Sequence, residues 1–216
     1  MERRFFLSLF FALIATCSQA QLVVQNAATT GNWAEYYVNE ILLGAGVTAF
    51  NISFTTDSVQ IGEFTNTNTV INMTDGVVLS CGNVEDAPGP NSSTGITTAI
   101  PGSQPDNDLF ILSTDPIDDA AILEFDFIPS GDSVSFNYTF ASDEYNEYVG
   151  GSVNDAFGFF LSGPGISGGM GFANDAVNLA IIPGTSTQVS INTVNLDSNA
   201  AFYVNNDTLN TIEYDG

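Results

Sequence analysis

The segment Ser133-Val-Ser-Phe-Asn-Tyr-Thr-Phe140 decides the fold class of this 216-residue chain. Its apolar and aromatic side chains stand at every second position, and Ser, Asn and Thr fill the positions between them. A period of two predicts a β-strand that buries one face. A second alternating run covers residues 123–127, and the intervening Pro129-Ser-Gly-Asp132 predicts a hairpin connection between the two strands.

Similar short segments occur along most of the chain, separated by Gly, Pro, Asn and Asp. Two of them, residues 156–161 and 179–182, are apolar without alternation, which predicts central strands buried on both faces. The stretch 82–108, rich in proline and poor in apolar residues, predicts a surface loop. Further strands are predicted at residues 47–55, 59–65, 70–73, 77–80 and 188–194.

A single helix is predicted near the N-terminus. Apolar side chains recur at helical spacing from Trp33 to Leu42, the pair Thr29–Thr30 offers N-terminal caps, and Gly44 ends the run. With no internal repeat and no linker, residues 21–216 are predicted to form one domain. We expect a mainly β fold, an antiparallel β-sandwich of jelly-roll or lectin-like type with one short N-terminal helix.

Residues 1–20 have the pattern of a secretory signal peptide. Two arginines precede an apolar core at residues 5–15, and small residues lead to Ala20. This arrangement predicts cleavage after Ala20 and a secreted, cell-surface-associated protein. A lipoprotein signal that ends at Cys17 is the alternative. The apolar core is too short to span a membrane, and no later stretch is long and apolar enough for direct insertion.

Arg3 and Arg4 are the only basic residues in the chain, which has no lysine and no histidine. Residues 21–216 hold 24 of the 25 acidic side chains and no cationic one. Nucleic-acid binding needs Lys and Arg to neutralise phosphates, so it is excluded, and attraction to anionic membranes is disfavoured. Nucleophilic triads and phosphoryl transfer lack their usual base and cations. Each carboxylate must therefore be hydrated, accept hydrogen bonds or bind a metal ion.

Cys81 is the only cysteine after residue 20, so residues 21–216 form no internal disulfide. A reactive thiol requires cationic neighbours, which this part of the chain lacks. The sequence therefore predicts that Cys81 is a small buried hydrophobic residue.

An acidic loop follows the best-patterned strand directly. Ser142-Asp-Glu-Tyr-Asn-Glu147 comes after Phe140, and Asn154-Asp155 opens the next apolar segment. Two carboxylates about 4 Å apart repel by roughly 4 kcal/mol at an effective dielectric near 20. Ca²⁺ relieves such repulsion, because it accepts carboxylate, amide and backbone oxygens in flexible geometry. We therefore expect a Ca²⁺ site formed by Asp143, Glu144, Asn146, Glu147, Asn154 and Asp155.

Alternatives to this metal site remain open. The same acids could be hydrated or could accept hydrogen bonds from backbone N–H groups. A metal site could also lie at Asp106 and Asp108, or at Asp118 and Asp119. The first of these pairs begins an Asp-x-Asp pattern, but it is not an EF-hand loop because Ile111 stands where that loop requires glycine.

Two segments carry the most specific family resemblance: Phe140-Ala-Ser-Asp-Glu-Tyr-Asn-Glu-Tyr148 and Asn154-Asp-Ala-Phe-Gly-Phe-Phe-Leu-Ser-Gly163. With six further stretches in the same order, they resemble the choice-of-anchor L domain of secreted and surface proteins from Bacteroidetes-like bacteria. The six stretches are residues 61–64, 75–80, 82–91, 121–127, 177–184 and 189–195.

The resemblance implies an extracellular location and no known enzymatic activity. It also implies that the domain continues past Gly216, so the chain is expected to be truncated there. The last residues, 211–216, have the character of a strand entering a turn, which agrees with that expectation. In the full-length protein, the resemblance further implies a C-terminal anchoring or sorting module.

A non-catalytic extracellular or cell-surface module is the leading hypothesis for function. It would act in adhesion or in binding a glycan, a matrix or a surface protein, with Ca²⁺ stabilising its loops. Tyr145 and Tyr148 are the candidate ligand contacts. The alternative is a glycoside hydrolase, whose general acid would need a pKa raised by apolar burial. Its carboxylate pair would be Glu144 with Glu147 or Asp143 with Asp155.

Overall fold

The structure is a computed structural model that describes residues 21–102, 105–113 and 115–216. The predicted signal peptide and its alternative ending at Cys17 lie outside the described residues. The described strands are β1 (Gln21–Asn26), β2 (Val47–Thr55), β3 (Ile61–Thr67), β4 (Asp75–Leu79), β5 (Ile122–Pro129), β6 (Phe160–Leu161) and β7 (Val177–Asn178). The described helices are α1 (Ala27–Thr30), α2 (Ala34–Tyr36), which a π-helical turn (Tyr37–Leu42) continues, and α3 (Asn107–Ser113). Short 3₁₀ turns lie at Ser58–Gln60, Val84–Asp86, Ala173–Asp175 and Ala200–Phe202.

The strands pair in small antiparallel sheets, which confirms the mainly β, antiparallel class. One sheet has the order β1-β3-β4, a second pairs β2 with β5, and a third pairs β6 with β7. The sandwich or jelly-roll arrangement of these sheets stays a prediction.

The first sheet illustrates how alternation produces the core. In β1, Leu22 and Val24 are buried while the residues beside them are exposed. Val24 lies opposite Phe64 of β3, and both belong to a hydrophobic cluster with Leu22, Val84, Ala87 and Ile212. Gly62 lets the two strands approach, because a Cβ there would lie 2.4 Å from the Gln25 carbonyl oxygen.

The predicted helix is present as α2 and its π-helical continuation, but no side-chain hydrogen bond caps it, so the prediction of threonine caps is wrong. It is also not the single helix that was predicted: α1 precedes it, with Asn26 Oδ1 accepting a hydrogen bond from the Thr29 N–H at 2.8 Å, and α3 follows it. Trp33 stands just before α2 and is 72 % exposed, whereas Tyr37 and Val38 are fully buried. The buried face of the helical segment therefore begins after Trp33.

The prediction of a strand at residues 133–140, and of its hairpin with the preceding strand, is wrong. The structure places no strand there, and β5 pairs instead with β2, so that Val47 lies opposite Pro129. Side-chain burial in this segment still alternates, although no backbone hydrogen bonds pair it with another strand. Aromatic packing holds the segment in place. Phe136 packs on Phe159 with ring centroids 3.8 Å apart, and Tyr138 packs on Phe157 at 5.2 Å.

Several other predicted strands are shorter or absent. Of residues 156–161, only Phe160–Leu161 form a strand, and their side chains are half-buried instead of buried on both faces. Residues 188–194 form a turn that is joined to the rest by isolated bridges such as Ala156 with Ser190. Residues 70–73 and 179–182 form no strand, and the predicted loop 82–108 contains the fully buried Val84 and the start of α3.

The last eleven residues, 206–216, form what we call the C-terminal segment. Asn206 is fully buried, and its amide donates hydrogen bonds to the carbonyl oxygens of Ile212 at 2.8 Å and Tyr214 at 2.7 Å. Ile212 bridges to Pro88 and enters the hydrophobic cluster of the first sheet. The C-terminal segment is therefore built into the core.

Candidate functional site

The acidic loop, which we define as residues 142–155, brings the ends of its two flanking segments together as predicted. Ser142 is the connecting residue. Its hydroxyl donates a hydrogen bond to Asp155 Oδ2 at 2.7 Å and accepts one from the Glu144 N–H at 2.9 Å. Through Ser142 the Asp155 carboxyl is held near Glu144, and its charge helps to raise the pKa of Glu144.

This crowding changes the acidity of the loop. Burial, with a further contribution from Asp155, raises the pKa of Glu144 to about 7. Burial likewise raises the pKa of Asp143 to about 6, although a hydrogen bond from the Ile96 N–H to its Oδ2 at 3.1 Å opposes the shift. Asp143 Oδ1 and Glu144 Oε2 are buried without a hydrogen-bond partner.

The other predicted metal ligands of the loop lie elsewhere. The Asn146 amide donates to Asp207 at 2.9 Å and accepts a hydrogen bond from the Tyr203 hydroxyl at 3.1 Å. Glu147 is exposed. The Asn154 amide donates to the Ser113 carbonyl oxygen at 3.2 Å. Only three of the six predicted ligands, Asp143, Glu144 and Asp155, are therefore grouped.

Within residues 21–102, 105–113 and 115–216, no group of three or more Asp, Glu or Cys side chains is arranged so that it could hold a metal ion. A Ca²⁺ ion would have to combine pairs of carboxylates with amide, backbone and water oxygens, which its coordination allows. The predicted Ca²⁺ site stays a prediction.

The alternative pair Asp106 and Asp108 is occupied by backbone donors. Asp106 Oδ1 accepts a hydrogen bond from the Leu109 N–H at 2.7 Å in the first turn of α3. Asp108 accepts from the Ala173 N–H, at 2.9 and 3.2 Å from its two oxygens. At the other alternative pair, partial burial followed by the Asp155 charge raises the pKa of Asp119.

The two candidate ligand-contact tyrosines differ in accessibility. Tyr145 is 2 % exposed and packs against Tyr203, with ring centroids 4.8 Å apart, and against Phe140 at 6.4 Å. Tyr148 is 49 % exposed. In this conformation, only Tyr148 presents its ring to solvent.

A second group of buried acids, in the C-terminal segment, was not anticipated from the sequence. Asp215 is 1 % exposed and Glu213 is 5 % exposed. Glu213 accepts hydrogen bonds from the Ser92 N–H at 3.0 Å and the Ser92 hydroxyl at 2.9 Å. Burial raises the pKa of Asp215 to about 6, and the neighbouring Asp207 adds to the shift. No local pattern marks these residues, because their partners are distant in the sequence.

Cys81 is not the buried hydrophobic residue that the sequence predicts, since its side chain is exposed. Crowding of the thiol by protein atoms nevertheless raises its pKa to about 12, and the Asp155 and Asp119 carboxylates contribute. The exposure sets how easily a reagent reaches the sulfur. Desolvation of the thiol, with a further contribution from the two carboxylates, makes the thiolate rare.

We expect Cys81 to react with a thiol-specific disulfide reagent at pH 8 at least about tenfold more slowly than free cysteine, because the thiolate is scarce. The rate is measured in a Cys17→Ser chain, so that Cys81 is the only thiol present. Unfolding that chain in urea should restore the rate of free cysteine. An equal rate in the folded and unfolded chain would contradict the proposed effect of the carboxylates.

These features define an acidic, mainly β domain in which carboxylates and aromatic side chains lie close together in the acidic loop. The family model of the choice-of-anchor L domain matches residues 23–216, and the chain belongs to this family. No curated protein and no solved structure matches the chain. Membership indicates a surface-associated or secreted, non-catalytic module, because this is not an enzyme family. No helix of the described residues is long and apolar enough to cross a membrane.

Proposed function

We propose that this domain is a non-catalytic adhesion module that binds a glycan, or a matrix or surface protein, outside the cell. A signal peptide cleaved after Ala20 would export it, and a further C-terminal anchoring or sorting module would retain it at the surface. The match of the anchor-domain family to residues 23–216 is the observation that carries this proposal. The proposed bacterial source is of the Bacteroidetes type.

Tyr148 is the contact residue in this proposal. The turn that holds it is fixed by three hydrogen bonds: its own N–H to the Glu144 carbonyl oxygen at 3.2 Å, Gly151 N–H to the Tyr148 carbonyl oxygen at 2.8 Å, and Gly150 N–H to Asn192 Oδ1 at 2.5 Å. A fixed, exposed aromatic ring offers an apolar face on which a sugar ring or a side chain can stack at low entropic cost. Tyr145, being buried, would support this turn from below.

Ca²⁺ at the acidic loop is the second part of the proposal. Glu144 and Asp155 contribute two carboxylates, and the unpartnered Glu144 Oε2 supports a need for a counter-ion. In a lectin-like β-sandwich, such an ion would stiffen the loop that carries Tyr148.

Binding to an array of glycans and matrix proteins tests the contact. We expect Tyr148→Ala to weaken binding to any ligand found by at least about tenfold, which corresponds to about 1.4 kcal/mol. Trp33→Ala is the matched control, because Trp33 is also exposed but precedes α2. Binding that both substitutions weaken equally, or neither weakens, would contradict a role for Tyr148. Release of reducing sugar that Glu147→Gln abolishes would instead establish the hydrolase.

A further inference from the structure

The C-terminal segment meets the acidic loop near two buried acids, Asp143 and Asp215. Ser142 and Gly216 exchange two backbone hydrogen bonds, with N···O distances of 3.0 and 3.3 Å. In an antiparallel pair, the next residues along each chain stand opposite each other on one face, with Cβ atoms about 5 Å apart. Asp143 and Asp215 flank this backbone pair, and the charge of Asp215 contributes to the raised pKa of Asp143.

In each of these carboxylates, one oxygen accepts a hydrogen bond and the other has no hydrogen-bond partner. Asp143 Oδ2 accepts the Ile96 N–H at 3.1 Å, and Asp215 Oδ1 accepts a hydrogen bond from the Asn91 amide. Asp143 Oδ1 and Asp215 Oδ2 are buried and have no hydrogen-bond partner. Asp143 is 9 % exposed and Asp215 1 % exposed, so water does not compensate the orphan oxygens from outside.

No side chain of the domain can neutralise this pair. Residues 21–216 contain no lysine, arginine or histidine. Glu213, the nearest acid along the C-terminal segment, is already engaged by Ser92 and adds further negative charge near Asp143. Two buried like charges that lack a protein cation require either a shared proton or a bound metal ion.

We propose that a Ca²⁺ ion bridges Asp143 and Asp215 and so fastens the C-terminal segment to the acidic loop. Ca²⁺ suits a site with two carboxylates, because it completes its shell with amide, backbone and water oxygens in flexible geometry. Mg²⁺ keeps several of its own waters, which a buried pair accommodates poorly. The exposed Asp207 carboxyl helps to raise the pKa of Asp215 and could guide the ion from solvent.

This bridge goes beyond the proposed adhesion function and does not depend on it. It also differs from the Glu144–Asp155 pair, because it joins two segments that are far apart in the sequence. Its consequence is that docking of the C-terminal segment depends on extracellular Ca²⁺. A protein exported from a calcium-poor compartment would complete its core only outside the cell.

Thermal unfolding of the full chain at pH 7.5, in 10 mM Ca²⁺ and in EDTA, tests the bridge. With a dissociation constant of about 10⁻⁴–10⁻³ M, as in other extracellular modules, Ca²⁺ should raise Tm by about 5 °C. Asp215→Asn and Asp143→Asn should remove the part of this rise that the bridge contributes. Glu144→Gln should remove only the part due to the ion proposed at the acidic loop, and Asp75→Asn, at an exposed site, should retain the whole rise. Hydrogen exchange should show that Ca²⁺ slows exchange of the Asn206, Glu213 and Gly216 amides in the unsubstituted chain.

The possible outcomes separate the explanations. A Ca²⁺ response that Glu144→Gln removes and Asp215→Asn retains would overturn the bridge and place the ion at the acidic loop. No response in the unsubstituted chain, together with stabilisation by Asp215→Asn, would overturn it in favour of a shared proton. If Asp215→Asn fails to fold, the exchange measurement decides, and unchanged rates in the C-terminal segment would overturn the bridge.

Discussion

Replacement of Ile212 by alanine is expected to lower the free energy of unfolding by about 3 kcal/mol. Ile212 is 2 % exposed and packs in the cluster that contains Leu22, Val24 and Phe64. Truncating a buried isoleucine removes its transfer free energy and leaves a cavity, and such changes cost about 2–5 kcal/mol. The loss is large relative to the 5–15 kcal/mol that stabilises a typical domain.

The backbone around Ile212 limits how far the site can relax after this truncation. Its carbonyl oxygen accepts the Asn206 amide, and its neighbour Glu213 donates its N–H to the Ala87 carbonyl oxygen at 3.0 Å. Gly89 lies against the Ile212 backbone, since a Cβ on Gly89 would stand 2.8 Å from it. The cavity therefore persists, so the loss should exceed the lower limit of this range.

Urea unfolding, followed by the midpoint and the slope, measures this effect. Leu209→Ala is the matched control, because Leu209 lies in the same segment but is 55 % exposed. Its substitution should change the free energy of unfolding by no more than about 0.5 kcal/mol. Similar values for the two variants would mean that the C-terminal segment does not dock on the first sheet.

Local sequence patterns were sufficient to predict those strands and helices in which buried and exposed side chains follow a regular period. The alternation in β2 and β5 and the helical spacing around Tyr37 appear in the structure at almost the predicted positions. In each case the pattern reflects the burial of individual side chains, which neighbouring residues largely determine.

Which strands pair with each other could not be predicted in the same way. Residues 133–140 have the clearest alternation in the chain, yet their aromatic rings pack on Phe157 and Phe159 without a ladder. Alternation reports which side chains are buried, but not whether a partner strand supplies hydrogen bonds. That partner is set by tertiary contacts between distant segments.

The sequence predicts only part of the candidate site, because it indicates groupings of nearby segments but not contacts between distant ones. The grouping of Asp143, Glu144 and Asp155 follows from two segment ends that meet, and the sequence indicates it. Asp215 could not be assigned to this region, because only the backbone pairing of Ser142 with Gly216 brings it there. The absence of cationic residues showed that buried acids would need counter-ions, but not which acids are buried.

Without divalent cations, the folded domain is expected to be more stable at pH 5 than at pH 7.5, by on the order of 3 kcal/mol. Burial raises the pKa of Asp143 and of Asp215 from an ordinary value of 3.8 to about 6, and that of Glu144 to about 7. Asp143 and Asp215 are almost fully buried, so solvent screens their shifts little. The expected difference is smaller than the sum of the separate shifts, because these groups interact.

The direction follows from proton binding in the two states. Above about pH 4 these carboxyl groups are mostly ionised in the unfolded chain, whereas in the folded domain Asp143 and Asp215 stay mostly protonated up to about pH 6 and Glu144 up to about pH 7. The folded state then binds more protons than the unfolded state, so its stability increases as the pH falls through the raised pKa values. Most globular proteins lose stability over this range because their paired carboxylates have lowered pKa values. The general repulsion among the acidic side chains acts in the same direction as the buried groups.

Urea midpoints at pH 5, 6 and 7.5 in EDTA measure this dependence. The double variant Asp143→Asn/Asp215→Asn separates the buried pair from the general repulsion, because it removes two of the shifted groups and leaves the other acids in place. We expect it to lose most of the difference between pH 5 and pH 7.5, whereas Asp75→Asn, at an exposed site in β4, should retain it. A full pH dependence in the double variant would show that the repulsion of the whole acidic surface, and not the two buried carboxyl groups, determines the stability of this domain.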